Sequence, residues 1–164
     1  MRSLLATILF LLGPSAGSVP TPTEGTAAPG RVFQPNEGDL LFFCDAPGLS
    51  VNIKVDSVTA GARQFAMGTA ELHGSNTGTH AGQDEIIFIY EGRGEILLGD
   101  ESFPAQPGTT MYVPRGVRHG FTSQKGSTMR FVWVIAPQGL EKRFREGGVP
   151  SLQQCPPRSS GSQR

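Results

Sequence analysis

Residues 85–98 read EIIFIYEGRGEILL, and this stretch decides the fold. Its first part, Glu85 to Tyr90, is dense in β-branched and aromatic residues, the composition of a strand covered on both faces. Gly92-Arg93-Gly94 marks a turn, Glu95 to Leu98 resumes the strand pattern, and Gly99-Asp100 reads as a hairpin turn. Outward from here the same rhythm repeats. Leu40 to Phe43 is an apolar run, Val51 to Val55 alternates apolar with polar, and Gln64 to Leu72 is a weaker strand. Thr109 to Val113 and Met129 to Ala136 (MRFVWVIA) complete the set. Short strands separated by turn residues predict an all-β sandwich or barrel. The 22 Gly and 13 Pro among 164 residues agree, because so many breakers argue against a helical bundle. A short helix is expected over 140–145, after Pro137-Gln138-Gly139. Leu140 and Phe144 would share one face, and Glu141 and Arg145 would form an exposed pair four residues apart.

The length suits one domain with one sizeable core. Fourteen basic and fourteen acidic residues cancel, so the concentrated basic footprint of a nucleic-acid partner is missing. Residues 1–17 read as a secretory signal peptide: Arg2, the apolar run Leu4 to Leu12, then Gly13-Pro14 and small residues. The run is too short to span a bilayer. The expected localisation is therefore secreted or periplasmic, with no membrane association after cleavage. Residues 18–37 are expected to be a flexible lead-in and 38–146 the folded domain. Residues 147–164 read as a disordered tail unless Cys155 ties it down. Export permits the two cysteines, Cys44 and Cys155, to pair, with two unpaired thiols as the alternative. A bridge across so long a loop is worth about 4–5 kcal/mol in the loop-entropy account.

Three histidines occur, His73, His80 and His119. His80 precedes Ala-Gly-Gln-Asp84-Glu85, and His119 follows Gly108, Pro114 and Gly116. Two imidazoles and one carboxylate are the donors with which a divalent metal keeps open positions, so His80, Glu85 and His119 form a candidate set. Glu85 would start a strand with Ile87 and Ile89 on its side. Together with Met111 and Phe121 these are the candidate pocket residues of a mostly apolar interior. The competing reading is a polar His80–Glu85 pair without metal and a His119 that caps a turn. Phe88, Tyr90, Phe131 and Trp133 read as packing residues. Arg115 and Arg118 would flank the mouth and attract an anionic or phenolic molecule, or stand as solvated loop charges. No dinucleotide fingerprint, phosphate loop or nucleophile elbow is present.

Gly78 to Gly92 and Gly108 to Ser123 resemble the two signature motifs of the cupin superfamily. Gly108, Pro114, Gly116 and His119 stand in place in the second, with Ser123 where Asn is usual. The first keeps His80, Glu85 and Gly92, but Gly78 stands where the family carries the first His of His-x-His. The resemblance implies a double-stranded β-helix (jelly-roll) barrel with a short C-terminal helix. Residues 99–147 are similar to small single-domain, type-2, quercetin-dioxygenase-like cupins. The family likeness implies one divalent metal ion, Fe(II) favoured and Mn, Ni or Zn as alternatives, held by His80, Glu85 and His119. It further implies a dioxygenase-like oxidoreductase acting on a small organic, phenolic substrate, with Glu85 detaching as catalytic base. The rivals are a cupin lyase or isomerase working without O₂, and a non-catalytic ligand-binding cupin with a degenerate metal site. The Gly78 departure favours the last of these. His73 and Asn76 are candidate replacements for the lost ligand. A homodimer is implied by analogy with the family.

Overall fold

A period of two runs through the long strands of the computed structural model, which describes residues 30–156. Its strands are β1 (Asp39–Phe42), β2 (Leu49–Val55), β3 (Ala66–Leu72), β4 (Ser75–Gly78) and β5 (Asp84–Glu91). They continue with β6 (Gly94–Leu98), β7 (Glu101–Ala105), β8 (Thr110–Val113), β9 (His119–Ser123) and β10 (Met129–Ala136). One helix, α1 (Leu140–Gly147), and a 3₁₀ turn (Leu152–Gln154) follow. Two antiparallel sheets result, ordered β1-β2-β3-β10-β5-β8 and β4-β9-β6-β7. This is the expected jelly-roll arrangement.

Alternation explains which side chains meet between the sheets. On β5, Glu85, Ile87 and Ile89 are buried while Ile86, Phe88 and Tyr90 are exposed. The strand was expected to be covered on both faces. Instead nothing among the described residues covers its outer face, so half of its apolar side chains lie in the open. β10 likewise buries Met129, Phe131, Trp133 and Ile135. The β6–β7 hairpin turns at Gly99-Asp100, where Gly99 takes φ 63°, a conformation that costs glycine nothing.

Three strands were not anticipated: β4, β7 and β9. β4 is polar and β7 contains Pro104, which an edge strand tolerates. In β9, Gly120 lets β4 approach closely, because a Cβ there would sit 2.5 Å from the Asn76 carbonyl oxygen.

Helix α1 closes one end of the barrel. Phe144 packs edge-on against Trp133, with ring centroids 5.6 Å apart, and against Phe43 at 6.1 Å. The expected exposed Glu141–Arg145 pair does not form. Glu141 is fully buried and accepts a 2.6 Å hydrogen bond from the Gly139 N–H. Arg145 reaches across to the barrel instead, donating from Nε to Asp39 Oδ2 at 2.8 Å and pairing with buried Asp56. Burial alone would push the Asp56 carboxyl up, but the hydrogen bonds from Arg145 and Thr59 hold it below its ordinary value.

Both flanks of the domain depart from the expected boundaries. Residues 147–156, read as the start of a disordered tail, are tied down. Val149 exchanges backbone hydrogen bonds with Phe42, and Cys155 forms a disulfide with Cys44. Residues 30–37 are also anchored, because the Lys54 ammonium donates to the carbonyls of Gln34, Pro35 and Glu37. The signal peptide over 1–17, the rest of the lead-in and the end of the tail lie outside the described residues.

Candidate metal centre

The two sequence segments singled out above meet at one end of the barrel. His80 sits in the loop after β4, Glu85 is the second residue of β5, and His119 opens β9. The Gly116 N–H donates to the His80 carbonyl at 2.9 Å, joining the two loops directly. All three side chains are buried, with 5–7% of each residue exposed.

Their hydrogen bonds fix the ring orientations. His80 Nδ1 lies 3.0 Å from the Gln83 carbonyl and His119 Nδ1 lies 3.0 Å from the Val117 carbonyl. A carbonyl only accepts, so each Nδ1 carries a proton and each Nε2 is the nitrogen turned into the pocket. Both Nε2 atoms point at one oxygen, Glu85 Oε2, at 3.0 Å from His80 and 3.2 Å from His119. Two imidazole nitrogens and a carboxylate oxygen converge in a buried pocket only with protons or a cation between them. The hydrogen bond with Glu85 raises the His80 imidazole above its ordinary value, against the lowering effect of burial. Burial alone would push the Glu85 carboxyl up, but hydrogen bonds from His119 and His80 hold it below its usual value. The three donor atoms lie within 4.8 Å of one another. Imidazoles oriented through Nδ1 by carbonyls are the normal support of a metal ligand, and two of them with a carboxylate fit a divalent ion with open positions.

A cavity of about 320 Å³ opens from this centre. Ile87, Phe121, Phe131 and Trp133 form an apolar wall, and Phe121 stacks on Phe131 with centroids 4.6 Å apart. Leu140, Arg143 and Phe144 of α1 also line it, as do Phe43 and Asp45. Of the four expected pocket residues, Ile87 and Phe121 line the cavity. Ile89 and Met111 do not. Ile89 is packed in the core, and Met111 borders a separate depression with Phe103 and Tyr112. Shared strand face was the right criterion for direction and said nothing of depth.

The other expectations divide similarly. His73 stays outside the centre, exposed and bonded through Nδ1 to the Ser127 carbonyl. Asn76 lines the cavity. Arg115 does not reach the mouth, because its guanidinium grips Asp84 at 2.9 and 3.1 Å, and Arg118 is likewise absent from the lining. The cation at the cavity is Arg143, which sequence reading missed. It follows Leu140 by three residues on α1, so helical spacing was the available signal, but its use required the helix phase. Phe131 and Trp133, read as packing, are cavity walls, whereas Phe88 and Tyr90 lie on the exposed outer face.

Comparison with known proteins bears on the fold. Residues 69–135 match the Cupin_2 family model, described as a cupin domain. An uncharacterised protein of Streptomyces coelicolor is 37% identical over 78 residues, covering 46% of this chain and 72% of that protein. Among solved structures, ectoine synthase from P. lautus aligns with a TM-score of 0.52 at 23% identity, over 71% of this chain and 83% of its own. KdgF from Halomonas sp. aligns with a TM-score of 0.50 at 17% identity, over 58% and 86% of the two chains.

Proposed function

Because this chain belongs to the cupin superfamily and aims three buried donors at one point, we propose that it is a metal-dependent enzyme acting on a small organic molecule. A dioxygenase-like oxidoreductase is the most specific form of this reading, with Fe(II) as the ion and a phenolic substrate. The observation that carries it is the pair of Nδ1 atoms committed to carbonyls, which turns both Nε2 atoms toward one Glu85 oxygen.

A bound ion would supply Lewis-acid or redox chemistry at the open positions. His80, Glu85 and His119 would hold it. Glu85, ionised at neutral pH, also serves as the base, taking a proton from the substrate at a carboxylate oxygen. Trp133, Phe131 and Phe121 keep water from the reacting end, and Arg143 draws anionic groups to the mouth. The disulfide between Cys44 and Cys155 supports an exported protein, since such bonds persist in oxidising compartments. A non-catalytic ligand-binding cupin is the second reading, favoured by Gly78, which offers no donor.

Elemental analysis of protein purified without added metal or chelator tests the first reading, with close to one divalent ion per chain expected. Protein that stays metal-free and ignores added Fe, Mn, Ni and Zn would establish the second. Oxygen uptake with flavonoids and catechols then separates an oxygenase from a lyase or isomerase.

A further inference from the structure

Helix α1 and the strap after it, residues 148–155, reach β1 at several points. Arg145 pairs with Asp39, a Cβ built on Gly148 would sit 2.9 Å from Leu41 Cβ, and Val149 exchanges backbone hydrogen bonds with Phe42. Leu140, Arg143, Phe144 and Gly147 of α1 line the cavity, and so do Phe43 and Asp45, the two neighbours of Cys44. The Cys44–Cys155 bond therefore joins the end of the strap to a second piece of the cavity wall. What holds α1 besides that bond is limited. The strap's backbone pairing is one isolated bridge, Phe42–Val149, and pairing so short is not stable on its own. Glu141 is fully buried, and although its Oε2 accepts from the Gly139 N–H, its Oε1 has no hydrogen-bond partner among the described residues. A buried carboxyl oxygen left unpaired is costly, so the closed position of the helix carries a penalty that water would relieve. The pairs of Arg145 with Asp39 and Asp56 remain as tethers of the last turn.

We propose that the Cys44–Cys155 bond is a thiol-exchange site, and that it latches α1 and the strap as a lid on the cavity. Both cysteines are half-buried, so a small thiol can reach them. A thiolate of a small dithiol attacks one of the two sulfurs and forms a mixed disulfide, while the other sulfur leaves as a thiolate and takes up a proton. The second thiol of the reagent then displaces the remaining cysteine, so the reagent ends as a cyclic disulfide and both cysteines as thiols. Two electrons and two protons pass to the protein. With the bond open, the strap is left with its single bridge, Glu141 gains water, and the α1 wall loosens. The lid needs no ion at the donors, so its test is separate from that of the metal-binding reading.

The test compares the full oxidised chain with the same chain held in dithiothreitol, both thiols being verified by alkylation and mass. Trp133, the sole tryptophan, is 2% exposed and lines the cavity beside Phe144. Acrylamide quenching of its fluorescence should rise at least about threefold on reduction, as local opening of the wall admits the quencher. Trypsin cleavage after Lys142 and Arg143 should quicken at least about tenfold, while cleavage at Lys54 in β2 and Arg130 in β10 stays slow. The double variant Cys44→Ser, Cys155→Ser should behave as the reduced chain does and be indifferent to dithiothreitol. A circular-dichroism melt of the reduced chain should keep a cooperative transition. Quenching and α1 cleavage unchanged by reduction would overturn the lid. A bond that resists dithiothreitol in the folded chain would overturn the exchange site. Cleavage at Arg130 rising in step with α1, or loss of the cooperative melt, would show that the bond holds the barrel itself and would also overturn the lid.

Discussion

Strand β5 runs through two different interiors. At Glu85 it faces two imidazoles and a cavity, and at Ile89 it faces the apolar core. The two positions are about 13 Å apart along one strand and share one face. Ile89 belongs to a buried apolar cluster with Met129, Ile96 and Met111. Around Glu85, the walls stand back. The stacked Phe121–Phe131 pair forms part of the cavity wall. One end of the barrel is thus packed while the other holds a cavity, and a single alternating pattern builds both.

The sharpest way to break this contrast is His119→Ala. Metal retention after dialysis should fall more than 100-fold, since losing only an orienting partner costs about 10- to 100-fold. Unchanged occupancy would remove His119 from the centre. Next in size is the disulfide. Replacing both Cys44 and Cys155 with Ser should cost about 2–5 kcal/mol in denaturant unfolding. Because Cys44 lies between the cavity residues Phe43 and Asp45, the same change should make Trp133 easier to quench with acrylamide. Ile89→Ala probes the other end. It should cost about 2–4 kcal/mol of stability and leave metal retention untouched. Loss of both together would show that the two ends are not independent.

The smallest effect is on pH dependence. His80 is raised above its ordinary value near 6.5, so its contribution is complete below that pH and is lost as pH climbs through the folded value. Glu85 is lowered below its ordinary value near 4.5, so its contribution is complete above that pH and is lost as pH falls through the folded value. Metal-free protein should therefore gain most from this cluster between these two ordinary values. Metal loading should release protons and remove the decline on the alkaline side, measurable as Tm against pH with and without the ion.

Reading the sequence recovered the fold class because glycine placement and period two are local properties. β10 is legible to the residue at 129–136, and β5 nearly so. β4 and β9 were hidden for a physical reason. Their Ser, Asn and Gly residues are turn formers by propensity, and the segments become strands because each pairs with the other and β9 with β6. The donor set was legible from residue type and its spacing to turn glycines. The charge at the mouth was not. Arg115 looked available because Asp84 is distant in sequence, at a separation of 31, while Arg143 was not singled out on the helix.

The link between Cys44 and Cys155 has a topological consequence. It closes a ring with a sequence separation of 111 that contains His80, Glu85, His119 and all of α1. A single cut in any loop of that ring would leave both pieces covalently joined. Such nicked protein should run as one band on a non-reducing gel and separate into fragments only after thiol treatment.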